Sequence, residues 1–251
     1  MLPIETVRTD RVPGDAAEPW APVAILVREL RKPIGAIRSA MSVMESAANL
    51  PGAMDQARRL IGRQLGQLSV LVDDLVELES LARGTLRLRR DWIDLVAEVE
   101  AAVSACSWAF AGYNNSLCVQ VPDRPVYGYF DPARLRQIVA NLLDNACRHT
   151  PVFGRVSLRL ERVGEEAVLT VADDGAGIPG DLLAHVFDFL TGPIAPADET
   201  SVRPNIGLAL VRELVHLHGG SIEARSEGRD RGSVFVTRWP LGCPLPLTQT
   251  P

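Results

Sequence analysis

Apolar side chains recur every three or four residues through the first third of the chain, and this spacing restricts the possible folds more than any other feature of the sequence. A turn signal at Asn49–Gly52 separates two such runs, and Gly84 follows the second at a helix C-cap position. The pattern predicts two amphipathic helices joined by a short turn, an antiparallel hairpin over residues 20–84. The apolar positions are Val27, Leu30, Ile34, Ile37, Met41 and Met44, then Ala57, Ile61, Leu68, Leu71, Leu75, Leu78 and Ala82.

This hairpin carries more apolar surface than two helices can bury between them. Leu26, Leu60, Leu65, Val72 and Val76 flank the main stripes. Burying one such side chain contributes roughly 1.5–3 kcal/mol, so pairing with a second hairpin is favourable. We therefore expect a dimeric four-helix bundle, formed by a homodimer or a heterodimer.

The rest of the chain alternates between strand and helix signals. Asp131-Pro132 combines a capping acid with a proline at the first helical position, and therefore begins a helix. Helices grouped on one face of a mostly antiparallel sheet give an α+β sandwich over residues 93–241. Residues 1–19 are expected to be a flexible leader, 85–92 a linker and 242–251 a tail. The predicted elements are an amphipathic stretch at Trp92–Ala105, strands at Leu117–Val121, Val126–Phe130, Arg155–Glu161, Ala167–Asp173, Ser221–Arg225 and Ser233–Trp239, and helices after Asp131 and at Ile206–His218.

Composition excludes several classes of function. The 251 residues carry 26 Lys and Arg against 31 Asp and Glu, a net charge of −5, so we expect no nucleic-acid partner. No apolar run approaches the roughly 20 residues that span a bilayer, and the first residues lack a signal peptide's apolar core. We therefore expect a cytoplasmic protein with no membrane contact. The four Cys and four His residues show no zinc-binding spacing.

Three polar features suggest chemistry in the α+β part. Asn141, Asn145 and Arg148 lie four and three residues apart, on one face of the helix after Asp131. Alone, they could be a solvated helix face opposite the apolar stripe. The run Asp173–Pro179 (DDGAGIP) then leaves a strand end, where glycines allow backbone to approach a ligand and an acid can accept from an exocyclic amine. Gly207 begins a later helix, whose free N–H groups can bind phosphate.

In this order and spacing, the sequence resembles the sensor histidine kinases. NLLDNACRHTP (141–151), DDGAGIP (173–179), VFDFL (186–190) and NIGLALVRELVHLHGGSIEARSEG (205–228) are similar to that family's N, G1, F and G2 boxes. The resemblance implies a gyrase-type ATP-binding fold that binds ATP or ADP with Mg²⁺, under a lid formed by residues 189–205. It assigns the nucleotide site to Asn141, Asn145, Arg148, His149, Asp173, Gly175, Gly177, Ile178, Gly207 and Leu208.

Within that set, the resemblance implies a role for each group. Asn145 would be the Mg²⁺ ligand, with Asn141 supporting it. Arg148 would lie near the phosphates and His149 near the base. Asp173 would accept a hydrogen bond from the adenine amino group, and the glycines would shape the floor of the pocket.

The hairpin also resembles the family, but it departs at one position. RELRKPI (28–34) aligns with the H-E-L-R-x-P-L box that carries the phosphoacceptor, so Arg28 replaces the histidine and Glu29 is the adjacent acid. Autophosphorylation needs a neutral imidazole nitrogen with a free lone pair. A guanidinium stays protonated and has no acceptor, so Arg28 cannot take the phosphoryl group.

Further departures are smaller. Lys32 replaces the Thr or Asn that family members with phosphatase activity commonly use to orient water. Asn205 replaces the first glycine of the G2 box, and Leu190 replaces a second aromatic residue of the F box. The last two weaken the predicted nucleotide binding without abolishing it.

Three functions remain open on these grounds. The first is a degenerate histidine kinase that binds ATP and acts as a dimeric regulatory subunit for a response regulator receiver domain or a partner kinase. The second is an active kinase that phosphorylates an acceptor histidine on a partner chain. The third is a serine kinase of the anti-sigma type, which the hairpin disfavours. The basic residues Arg28, Arg31, Lys32 and Arg38 are either a solvated patch or a surface that docks the receiver's acidic pocket.

Overall fold

The computed structural model describes residues 5–8, 21–46, 51–188 and 206–242, which fall into two compact units. One contains residues 21–46 and 51–86, and the other contains residues 5–8, 87–188 and 207–242. The predicted lid, with Leu190 and Asn205, lies outside the described residues, as do most of the predicted leader and of the tail. In chain order the elements are β1 (Glu5–Arg8), α1 (Ala21–Ser46), α2 (Pro51–Ala82), β2 (Asp91–Asp94), α3 (Leu95–Tyr113), β3 (Ser116–Gln120), β4 (Tyr127–Phe130), α4 (Pro132–His149), β5 (Arg155–Val163), β6 (Glu166–Asp173), α5 (Gly180–Leu183), α6 (Ile206–Leu217), β7 (Ser221–Ser226) and β8 (Ser233–Pro240).

The first unit consists of two long helices that pack against each other. α1 continues through Pro33, whose side chain is buried, and Ala40 is buried seven residues later. Ala57 is the corresponding buried position near the start of α2. Among the described residues, no helix of either unit is both long enough and apolar enough to cross a membrane.

The second unit is an α/β sandwich. Its six-stranded sheet has the order β1-β7-β8-β6-β5-β3, in which only the β3–β5 pair is parallel, and β2 and β4 form a separate two-stranded ribbon. α3 packs on α4, and α4 packs on β5 and β6. The strict alternation of β5 buries Val156, Leu158 and Leu160 toward these helices. This α/β architecture is the one expected for the ATP-binding part.

Two strands of the structure, β1 and β2, were not among the predicted elements. Asp91–Asp94 form β2, where the end of a linker and the start of an amphipathic stretch were expected, and α3 then runs from Leu95 to Tyr113. The Asp94 carboxylate accepts the N–H of Val96 and also that of Val126, so it ends the strand and fixes the helix start. β1 pairs antiparallel with β7 at the sheet edge, within residues predicted to be a flexible leader. Its four residues carry too little pattern to be recognised without their partner strand.

Candidate nucleotide-binding site

α4 carries four of the predicted site residues. The Asp131 side chain caps the helix by accepting the N–H groups of Ala133 and Arg134, as the sequence predicted. Asn145 is buried at 8% exposure, whereas Arg148 and His149 at the last turn are exposed. The solvated-face interpretation of this helix is therefore wrong for Asn145, which faces the interior of the unit.

Asn141, one turn before Asn145, carries an unusual polar atom. Its Nδ2 is buried and has no hydrogen-bond partner among the described residues. Leaving a buried amide donor unpaired costs about 1–3 kcal/mol. An acceptor supplied by a ligand would remove this cost.

Asp173, at the end of β6, has a carboxylate held from two sides. Its Oδ1 accepts the N–H of Gly175 at 2.9 Å, and its Oδ2 accepts the Ser233 hydroxyl. Burial raises the pKa of Asp173 above its ordinary value, against the opposing effects of these hydrogen bonds and of the nearby His149. A half-buried, oriented carboxylate of this kind is suited to accept a hydrogen bond from an amino group.

The glycines after Asp173 are required by close packing within the protein. A Cβ at Gly175 would lie 2.2 Å from the His149 carbonyl oxygen, and one at Gly177, where φ is +66°, would lie 2.0 Å from the Gly228 carbonyl oxygen. The small size of these glycines lets the turn pack between the end of α4 and the 226–232 loop. That they also let backbone approach a ligand stays a prediction. The N–H of Ala176 accordingly donates to the His149 carbonyl at 2.9 Å.

Two serines support this turn, and sequence reasoning missed both. Ser233 orients Asp173 from β8, and the Ser226 hydroxyl accepts the N–H of Ile178 at 2.9 Å. Gly232 packs equally closely, because a Cβ there would lie 2.0 Å from the Asp173 carbonyl oxygen. The sequence SEGRDRGS (226–233) held a signal for these serines. Its two glycines and two serines lie where β7 ends and β8 begins, next to the turn that follows β6.

The remaining predicted residues, Gly207 and Leu208, lie at the start of α6. Gly207 is in the first turn of α6, and Leu208 beside it is 1% exposed, so Leu208 is a core residue as well as a candidate wall of the site. Arg148 forms an ion pair with Asp144 at 2.7 Å, with both side chains about half-exposed. Arg148 would therefore have to exchange this carboxylate for a phosphate.

Arg28, Glu29 and Lys32 lie within α1. Their side chains are outside the described ones. Arg31 and Arg38 of the same helix are exposed.

The residues present fit a purine nucleotide. α4 supplies buried amides, including the unpaired Asn141 Nδ2, and β6 supplies an oriented acceptor in Asp173. The turn between them is fixed by backbone contacts, so the acceptor and the end of α4 keep a set geometry.

Comparison with known families agrees with this fold: residues 130–242 match the family described as "Histidine kinase-, DNA gyrase B-, and HSP90-like ATPase". The chain is 33% identical over 231 residues to the signal transduction histidine-protein kinase AfsQ2 of Streptomyces coelicolor, covering 87% of this chain and 41% of AfsQ2. It is 31% identical over 235 residues to the probable sensor histidine kinase TcrY of Mycobacterium tuberculosis, covering 91% and 47%. The chain therefore contains the core of a histidine kinase.

Solved structures agree with this assignment. The histidine kinase AdeS of Acinetobacter baumannii superimposes with a TM-score of 0.65 at 25% identity, covering 86% of this chain and 98% of that chain. The histidine kinase ThkA, solved in complex with the response regulator protein TrrA, gives a TM-score of 0.63 at 22% identity, covering 88% and 61%. The latter likeness concerns the fold alone. The chain spans less than half the length of AfsQ2 and TcrY.

Proposed function

We propose that this protein is a degenerate histidine kinase that binds Mg·ATP or ADP, does not phosphorylate its own hairpin, and acts as a dimeric regulatory subunit of a two-component system. The observation that carries this proposal is Arg28 at the phosphoacceptor position, in a chain that keeps the nucleotide-site residues on α4 and β6.

The chemistry of Arg28 supports the loss of autophosphorylation. The guanidinium remains protonated because its pKa is above about 12, so it offers no lone pair to the γ-phosphorus. Glu29 cannot deprotonate it. None of the four histidines, at positions 149, 185, 216 and 218, lies in α1 or α2.

The site supports nucleotide binding by named groups. Asp173 would accept from the adenine amino group, Asn145 would hold Mg²⁺ through its amide oxygen, and Asn141 would donate its unpaired Nδ2–H beside it. Arg148 and the N–H groups at Gly207 and Leu208 would face the phosphates. When bound, Mg·ATP supplies a transferable γ-phosphoryl group.

Exposed apolar side chains on the helical unit support dimerisation. Ile34 and Met41 of α1, seven residues apart, are 52% and 53% exposed, and each follows a residue buried within the unit. Val72 and Val76 of α2 are 49% and 56% exposed. A second seam beside the buried one is what a four-helix bundle from two chains requires.

The partner in this proposal is a response regulator receiver domain, or a kinase that acts on one. ThkA, which has the same fold, was solved with a response regulator. Arg28, Arg31 and Lys32 would pair with the carboxylates of the receiver's acidic pocket. A charge pair at the centre of an interface is worth about 2–5 kcal/mol on truncation, so Arg28→Ala should weaken receiver binding at least tenfold without affecting dimerisation.

The proposal is tested by incubating the purified protein with labelled Mg·ATP. No acid-labile phosphate should appear on wild-type protein, whereas Arg28→His should acquire it, and Arg28→Ala serves as the control that removes the guanidinium without adding an imidazole. Phosphohistidine on wild-type protein would refute the proposal.

The second candidate, an active kinase with an acceptor histidine on a partner chain, is favoured by the intact Asp173 and α4 side of the site. The two candidates are distinguished by incubating the protein and labelled Mg·ATP with partner kinases whose own ATP sites are inactivated. Label transferred to such a partner would favour this candidate over the regulatory subunit.

A further inference from the structure

The two helices that carry the candidate nucleotide-binding residues meet at a buried histidine far from those residues. His218 directly follows α6, about 16 Å along the helix from Gly207 at 1.5 Å per residue. It is 5% exposed, and its ring stacks on Phe130, with centroids 5.4 Å apart and planes inclined by 18°. Phe130 immediately precedes the Asp131 cap of α4.

His218 joins α6 to α4 through both ring nitrogens. Nδ1 lies 2.8 Å from the Leu214 carbonyl oxygen, which can only accept, so Nδ1 carries the proton. Nε2 is then the acceptor for the Asp131 backbone N–H at 3.2 Å. The neutral imidazole therefore has one defined tautomer, and this tautomer bridges the end of one helix to the start of the other.

The chain that arrives from the helical unit is attached at the same point. The N–H of Arg89 donates to Asp131 Oδ2 at 2.7 Å, while Oδ1 of the same carboxylate caps α4. The Arg90 guanidinium donates to the Leu217 carbonyl at the end of α6. Residues 89 and 90 thus contact both helices close to His218. Arg90 bonds Leu217, the residue before His218, and Arg89 bonds Asp131, whose N–H donates to His218.

We propose that His218 is a positioning residue, which fastens residues 89 and 90 and the start of α4 to the end of α6, so that attachment of this segment and nucleotide occupancy are thermodynamically coupled. The inference rests on the nucleotide-binding function proposed above. Coupling is reciprocal: if attachment favours nucleotide, nucleotide favours attachment by the same factor.

Two substitutions separate the bridging bond from the bond within the helix. His218→Gln places an amide oxygen near the position of Nε2 and can still accept the Asp131 N–H. His218→Asn places its amide near Nδ1, so it can reach only Leu214. If the bridge matters, the Asn variant should lose coupling and the Gln variant should keep it.

Attachment is measured without nucleotide by the rate of tryptic cleavage within residues 87–90. The Asn variant should be cut at least about fivefold faster than the wild type, the lower end of ordinary coupling factors, and the Gln variant at close to the wild-type rate. In wild-type protein, saturating Mg·ATP should slow this cleavage. Calorimetry should give the Asn variant a dissociation constant for Mg·ATP at least about fivefold weaker.

A second pair of variants avoids the buried ring altogether. Arg89→Pro removes the N–H that Asp131 accepts, while Arg89→Ala removes the same side chain and keeps that N–H. The Pro variant should weaken Mg·ATP binding and the Ala variant should not. This pair decides the question if His218→Asn proves too unstable, as judged by thermal unfolding.

The outcomes separate the two proposals. Equal cleavage of His218→Asn and wild-type protein overturns the attachment. Faster cleavage with an unchanged dissociation constant overturns the coupling. If the wild-type protein binds no Mg·ATP, the proposed nucleotide function and the coupling both fail, while the cleavage comparison still decides whether His218 holds the segment.

Discussion

Two hydrogen bonds hold the Asp173 carboxylate in the orientation that a contact with a ligand amino group needs. Its two carboxylate oxygens accept from Gly175 and Ser233, which fixes the carboxylate plane and leaves it acceptor-only. An amide at this position would present a donor to one of these donors, and the site would lose an acceptor. Asp173 is therefore suited to this contact both by the fixed orientation of its carboxylate and by its charge.

Asp173→Asn should accordingly weaken Mg·ATP binding at least tenfold, about 1.4 kcal/mol, as measured by calorimetry. Asp174→Asn is the matched control, because Asp174 is exposed and an amide oxygen can still accept the Arg155 N–H. Ser233→Ala keeps the charge but loses its orientation, so a smaller loss is expected. Equal binding by both Asn variants would contradict the assigned role of Asp173.

His218 also predicts a dependence of stability on pH. Burial and, less strongly, the nearby Arg90 lower its pKa below the ordinary value of 6.5, against the opposing effects of Leu214 and Asp131. The unfolded chain then binds the proton more readily than the folded one. The free energy of unfolding is therefore complete above about pH 6.5 and falls as the pH is lowered from there toward the depressed pKa.

This dependence is measured by urea unfolding between pH 7.5 and pH 5, with His218→Gln as the reference. The difference in unfolding free energy between wild type and the Gln variant should shift against the wild type on acidification. A difference that stays constant across this range would show that His218 is not held neutral.

At the scale of elements, prediction succeeded where one side chain or one repeating spacing determines the outcome. The Asp131-Pro132 pair placed the start of α4, and the alternation of Val156, Leu158 and Leu160 placed β5. β1 was missed because four residues at a sheet edge are specified by the β7 backbone, and β2 was missed because Trp92 and Ile93 fit a helical spacing equally well. Ser233 was missed because its role depends on a partner sixty residues away.

α4 offers an internal thiol that reports on its stability. Cys147 is fully buried, and burial, followed by the charge of Asp144 and the neighbouring Cys106, raises its pKa to about 12. At pH 8 its thiolate is scarce, so it should react with iodoacetamide far more slowly than the exposed Cys118.

Mg·ATP should slow Cys147 labelling further, because a ligand on α4 stabilises the closed state by a factor of 1 + [L]/Kd. Mass spectrometry of the two peptides measures both rates, with Cys118 as the internal control whose rate nucleotide should leave unchanged. Labelling of Cys147 as fast as that of Cys118 would contradict the packing of α4.

At the scale of the whole molecule, the two units could be predicted from the sequence to different extents. The α/β unit was predictable because several boxes occur in a fixed order, and each constrains the next. The helical unit has one repeating pattern, which gives two helices but leaves its partner unspecified. Burial corrects part of that pattern: Ile34 and Met41 of the predicted stripe are exposed, whereas Pro33 and Ala40, one residue earlier, are buried with Ala57.

The exposed seam, which contains Val72 and Val76 of α2, is where we expect the second chain of the dimer to pack. Val72→Asp should convert the proposed dimer to a monomer in light scattering coupled to gel filtration. In the monomer the change is a surface substitution, worth within about 0.5 kcal/mol, whereas in a bundle it buries an unpaired carboxylate. Val163→Asp, at a residue 54% exposed at the end of β5, is the matched control and should not change the mass. A Val72→Asp protein that remains dimeric would place the subunit contact away from α2, and the exposed seam would need another explanation.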